Sequence, residues 1–414
     1  MAVVRSARGL RPHPLRPVEP RTGVGPVAVL GAGHGGLALA GYLAARGVPV
    51  RLWNRSPTPL AAVEAQGGIL LEVPEEDGPV RVRPRQVSCD LGEVVRGAEV
   101  ILVAVPASAH PELARRLASH LRDGQAVLLL PGRTGGALEF AQELDAAGCT
   151  ARVLVGEAQT FPFASRTLGP GVAAILGVKR TVPAAALPAR RTPELIALFR
   201  PLLPMLEPAP SVLHTSLENM GAVLHPAITL LNAGRIEAGP GFRFYAEGVT
   251  SGVARAVAAV DGERLAVARA FGVPVRSLLE WLQDAYGGAP SGPLGQEPAS
   301  GPAEAWGPEG EAAAIQAALT RNPAYTDLFA PRSLDHRYLW EDVPTGLVPF
   351  AALGEAAGVE TPVISGLVHL AGSLHGRDYA AQGRTLARMG LSGLGPDEIL
   401  TFVMEGSVAG CATA

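Results

Sequence analysis

An α/β domain followed by an all-α domain is the fold class that this 414-residue sequence predicts, on three observations. A short apolar run, Val27–Leu30, leads into Gly31, Gly33 and Gly36, then a helically spaced apolar stretch, then a second apolar run at Val48–Trp53. Units of apolar run, loop and helical spacing recur to about residue 190. Beyond Arg191 the strand signal fades and helical spacing takes over. Residues 25–190 therefore read as a Rossmann-type, mostly parallel sheet with helices on both faces, and residues 191–414 as a helical domain. Residues 1–24, rich in Arg and Pro without apolar period, read as a disordered tail.

The glycine spacing has a physical purpose. Gly31 permits a tight turn, Gly33 leaves room for a pyrophosphate against the backbone, and Gly36 lets the helix approach the strand. The free N–H groups of the helix N-terminus, with His34 and Gly35 in the same turn, then meet the phosphates. A carboxylate at the end of the second strand would bind the ribose 2′-OH and repel a 2′-phosphate. Asn54 and Arg55 stand there instead, so NADP is expected over NAD, with Arg55 pairing the extra phosphate.

The remaining elements follow in order. Thr58–Gln66 reads as a helix, and Ile69–Val73 with Val80–Val82 as a hairpin around Glu75–Gly78. Leu91–Arg96 is a short helix before the buried strand Val100–Val105. Pro106 opens the next loop, on the nicotinamide side, and His110–Leu121 is helical. Ala126–Leu130, Ala137–Ala147 and Val153–Val155 extend the alternation, with Val172–Val178 and Thr181–Leu187 expected to complete the sheet at one edge. In the second part, Ala254–Phe271, Val273–Tyr286, Gly346–Ala357 and Thr361–Ala371 carry helical spacing, while residues 287–310 read as a flexible insertion.

Composition excludes several classes. A net charge of −3 offers no field for nucleic acid or an anionic membrane. Cys89, Cys149 and Cys411 are too few and scattered for a disulfide framework or a zinc site, so no metal is expected and a reduced cytoplasm fits. No apolar run reaches membrane-spanning length, and the N-terminus lacks the apolar core of a signal peptide. Gly 50 and Pro 37, with few lysines, read as the codon bias of a GC-rich bacterial genome.

Two stretches of the helical part carry more polar character than packing requires. In Leu217–Gly234, Asn219 and His225 stand on an otherwise apolar helical surface, with Pro226 interrupting the backbone bonding. In Asp335–Pro349, His336, Arg337, Glu341 and Asp342 are flanked by apolar residues, where charges are costly unless paired or functional. On residues alone, His225 could equally be a satisfied core histidine and Arg337–Asp342 a structural ion pair. The other histidines, His110 among them, read as surface or helix-end residues.

Taken together, GAGHGGLALAGYLAARG, AVPASAH, LLPGRTGGALEF, GEAQTFPFASR, LENMGAVLHP, LLNAGRIEAG, FYAEGVT and RYLWEDVPTGLVP resemble the opine dehydrogenases of octopine/nopaline type. The first half is also similar to glycerol-3-phosphate dehydrogenases. The resemblance implies reductive condensation of an amino acid with a 2-oxo acid using NAD(P)H. It places the catalytic histidine at His225, its aspartate at Asp342 and the substrate-carboxylate arginine at Arg337. Asn219, Glu157 and Arg166 become candidates for holding substrate. Helical domains of this kind often pair, so a homodimer is one expectation. Two features depart from the family pattern, the length of residues 287–310 and the bulk of Trp340. Two alternatives stay open: a dehydrogenase of a hydroxy acid or other small carboxylate, and a non-catalytic NADP-binding regulator.

Overall fold

The computed structural model describes residues 25–74, 78–286 and 307–406. The expected tail, the tip of the expected hairpin turn, Cys411 and most of the 287–310 insertion lie outside the described residues. Residues 307–310, expected as loop, begin a helix instead.

The chain forms two compact units. The first runs to Ser216 and takes back Arg388–Gly390 and the residues from Glu398 onward. Its strands are β1 (Val27–Leu30), β2 (Val50–Trp53), β3 (Ile69–Glu72), β4 (Val80–Val82), β5 (Gln86–Ser88), β6 (Val100–Val103), β7 (Ala126–Leu129), β8 (Leu154–Ala158), β9 (Phe163–Gly169), β10 (Val172–Val178), β11 (Val182–Leu187) and β12 (Leu206–Pro208). Its helices are α1 (His34–Ala45), α2 (Pro57–Ala65), α3 (Leu91–Val95), α4 (His110–Leu117), α5 (Gly136–Ala146) and α6 (Thr192–Phe199), with α7 (Val212–Leu217) at its end.

Eight strands in the order β12-β11-β8-β7-β6-β1-β2-β5 make the main sheet, parallel from β8 to β5. β11 turns antiparallel to β8, and β12 lies parallel to β11 at the edge. The expectation that Val172–Val178 completes this sheet is corrected. β10 belongs to a second sheet, β4-β3-β10-β9, which packs on α1. That explains why α1 has no polar face: Gly36 through Leu43 are all buried, and a helix apolar all round needs cover on every side. The first unit also passes the expected boundary at residue 190. β12 bonds to β11, and Phe199, Leu203 and Leu206 are fully buried in its core.

The second unit is helical: α8 (Met220–Leu231), α9 (Ala233–Glu237), α10 (Ser251–Ala270), α11 (Leu278–Tyr286), α12 (Gly307–Thr320), α13 (Arg337–Trp340), α14 (Val348–Ala356), α15 (Pro362–His375) and α16 (Tyr379–Gln382). Most of α17 (Pro396–Glu405) falls in the first unit, where the Arg190 guanidinium donates to the Glu405 carbonyl at 3.1 Å. Between α13 and α14 the backbone widens into one π-turn, Val343–Leu347, with Leu347 N–H reaching the Asp342 carbonyl at 3.1 Å. Among the described residues no helix is long and apolar enough to cross a membrane.

Candidate active site

The glycine turn of the first unit fits a dinucleotide. Gly31 has φ +118°, and a Cβ there would lie 2.5 Å from the Ala104 carbonyl oxygen. A Cβ on Gly36 would fall 1.9 Å from the Gly31 oxygen, so the helix can start only because both are glycine. At Gly33 a Cβ would meet nothing within 4 Å. That open space lies at the N-terminus of α1, where a pyrophosphate would be received. Gly35 is a packing glycine: a Cβ would press on the Phe161 ring at 2.8 Å.

Two neighbours expected to touch the cofactor make hydrogen bonds within the fold. Asn54 accepts the Ala32 N–H at 3.0 Å through its side-chain oxygen and donates to the Ser56 carbonyl, bracing the turn from β2. His34 accepts the Thr167 N–H on Nδ1 at 2.8 Å, so that nitrogen is unprotonated and Nε2 carries the hydrogen. Arg55 is exposed beside Asn54 at the end of β2, and Pro106 is exposed at the mouth of the loop after β6.

Glu157 requires a correction. It is fully buried at the end of β8, and its carboxylate accepts from Ala137 N–H (2.7 Å), Thr215 Oγ1 (2.6 Å) and Ser216 Oγ (3.1 Å). A carboxylate bonded this way at the first turn of α5 stabilises a helix N-terminus and is sealed from a substrate. Arg166 lies exposed on β9, in the other sheet. His110, read as a helix-end residue, is completely buried beside Phe140.

In the second unit, residues distant in sequence meet. His225 Nδ1 lies 2.7 Å from Asp342 Oδ2, across 117 positions. Asp342 is fully buried, whereas the His225 side chain keeps 20% of its surface exposed. Pro226 follows within α8, and Asp342 sits just before the π-turn, a backbone form common at functional sites. Gly346 makes the approach feasible: a Cβ there would stand 2.4 Å from the Ala222 Cβ on α8. Asn219 is buried at the N-cap of the same helix, near Gly346.

Arg337 does not pair with Asp342. Its Nε and Nη2 reach Glu341 Oε2 at 2.8 and 2.5 Å, one helical turn on. Glu341 is 2% exposed and Arg337 48%, so a buried carboxylate steadies a guanidinium whose remaining donors reach solvent.

Tyr338 is the residue that reading the sequence missed. Its ring stacks on His225 at 4.0 Å between centroids and 18° between planes, and Phe244 leans on it at 5.1 Å. Burial, then the nearby Asp342 carboxylate, pushes its phenol pKa up, so the stacking ring stays neutral. His336 caps α13 edge-on to Tyr338, and its pKa is lowered by burial and then by His225. The only signal for Tyr338 was its place beside Arg337.

Comparisons with known proteins identify the family and the fold. The model of the NAD/NADP octopine/nopaline dehydrogenase helical domain matches residues 208–375, and that of the NAD-dependent glycerol-3-phosphate dehydrogenase N-terminus matches 26–143. An opine dehydrogenase of Arthrobacter sp. (strain 1C) is 39% identical over 367 residues, covering 89% of this chain and 95% of the relative. Octopine dehydrogenase of Pecten maximus is 26% identical, covering 86% and 92%. A solved octopine dehydrogenase with NADH and L-arginine superposes with TM-score 0.74 at 25% identity, covering 91% of this chain and 98% of that one. This chain therefore belongs to the opine dehydrogenase family and is a nicotinamide-dinucleotide-dependent oxidoreductase acting on CH–NH bonds.

Proposed function

We propose that this enzyme uses NADP(H) to join the amine of an amino acid to a 2-oxo acid, with His225 as the general acid and base. The observation that carries the reading is the His225–Asp342 contact, with one partner sealed and the other partly open. A carboxylate on Nδ1 holds the hydrogen there and leaves the Nε2 lone pair to take a proton. The amine must be a free base to attack, water must leave, and the resulting imine must be reduced. An imidazole that accepts and returns a proton serves each of these steps. When bound, the nicotinamide supplies the hydride. Tyr338 fixes the plane of the His225 ring. Arg337, steadied by Glu341, is suited to holding a substrate carboxylate, and Asn219, buried at the start of α8, to hydrogen-bonding a reacting oxygen.

Exposed Arg55, with no carboxylate at the end of β2, supports NADP(H) over NAD(H). The test is a substrate screen that follows NADPH oxidation. Consumption should require both a 2-oxo acid and an added amine. Oxidation with the 2-oxo acid alone would refute the opine reading in favour of a hydroxy-acid dehydrogenase.

A further inference from the structure

Of the 35 Lys and Arg residues in this chain, Lys179 is the one lysine. Every other fixed positive side chain is a guanidinium, which does not lose its proton in proteins; a buried amine does. Codon bias explains the arginines and leaves the exception to be explained.

Lys179 follows β10 on the connection to β11, and its N–H bonds to the Pro162 carbonyl at 3.0 Å. Its Nζ donates to Thr160 Oγ1 at 2.5 Å. Thr160 comes two residues after β8, and Arg133 lies in the loop after β7 with φ 63°, a left-handed conformation that a side-chain-bearing residue seldom adopts. Burial, and then the Arg133 guanidinium, pushes the Lys179 amine down to about 7. The residue as a whole is half-buried.

Strand order says what such a corner faces. β2 carries Asn54 and Arg55 at the adenosine end, and β1 carries the pyrophosphate turn. A dinucleotide laid in that direction puts its nicotinamide toward β6 and β7. Thr160 and Arg133, after β8 and β7, stand next along the same edge, where open α/β sheets receive ligands. The carbon that takes the hydride comes from the oxo acid, and its carboxylate is one bond away.

We propose that Lys179, Thr160 and Arg133 form a subsite for the carboxylate of the 2-oxo acid. The assignment rests on the opine reading only for naming the acid. Arginine at position 179 would hold a permanent charge; lysine makes affinity depend on pH. Above pH 7 the free amine is neutral, so binding must take up a proton, and the KM of the acid rises about tenfold per pH unit.

The experiment measures KM of the 2-oxo acid between pH 6 and 9 and NADPH affinity by fluorescence, for wild type, Lys179→Arg and Lys179→Met. The acid used is whichever one the wild type reduces, with or without an amine, so failure of the opine reading leaves this test intact. Lys179→Arg should flatten the rise of KM with pH. Lys179→Met should raise KM at least tenfold at pH 6, with NADPH affinity unchanged in both variants. A second measurement covers a variant that does not fold. With NADPH bound, acetic anhydride should acetylate Lys179 of the wild type, and the 2-oxo acid should protect it while its neutral amide does not. Unchanged KM and pH slope in Lys179→Met, weakened NADPH binding without a KM change, or absence of protection by the acid would each overturn the proposal.

Discussion

Two buried carboxylates of the helical unit show what separates a closed structural pair from the proposed catalytic one. Asp261 and Arg264 are both fully buried. Asp261 accepts from Arg264 Nε and Nη2 at 2.9 and 2.6 Å and from Leu278 N–H at 2.7 Å. Arg264 spends its other donors on the Leu217 and Arg276 carbonyls. Asp342 is equally buried, but its partner is a histidine with one-fifth of its side chain exposed and a face fixed by Tyr338. The first pair closes on itself; the second leaves its histidine partly open to solvent.

The comparison is open to attack by mutation, taking the strongest effect first. His225→Ala should lower kcat by about 10²–10⁴-fold, the usual contribution of general acid–base catalysis. Its melting temperature and NADPH affinity should barely change, measured by steady-state kinetics, thermal melting and fluorescence titration. Normal turnover would move the chemistry elsewhere. Arg264→Ala should do the reverse. It strands a buried carboxylate and should cost about 3–5 kcal/mol in urea unfolding, while residual folded enzyme keeps its KM. Arg337→Ala should raise the KM of one substrate roughly ten- to a hundredfold, since a charge-assisted bond contributes about 1.5–3 kcal/mol. Arg55→Ala should have the smallest effect, narrowing the ratio of KM values for NADPH and NADH by severalfold at low salt.

What was legible in the sequence follows the range of the interactions. The glycine turn is written within six residues, and it folds with the tight turn at Gly31 and the close helix approach at Gly36 that its spacing implied. Strand–helix alternation likewise gave the parallel core. β10 escaped because a strand pattern does not say which sheet it joins; the clue was the fully apolar α1, which needed a second cover. Glu157 was singled out by the resemblance to the family, while Thr215 and Ser216, nearly sixty positions on, consume its carboxylate. His225 and Asp342 were ambiguous as isolated residues, and resemblance to the family, rather than spacing, singled them out. Their meeting depends on Gly346 and the π-turn, neither of which has a local pattern that announces it.

A double-mutant cycle on turnover tests the catalytic pair most directly. kcat is compared for wild type, His225→Ala, Asp342→Ala and the double variant, each checked for folding by circular dichroism. If Asp342 acts through His225, the double variant should be no slower than His225→Ala alone. Losses that multiply, with the double variant slower by the product of the two single effects, would contradict a coupled acid–base pair.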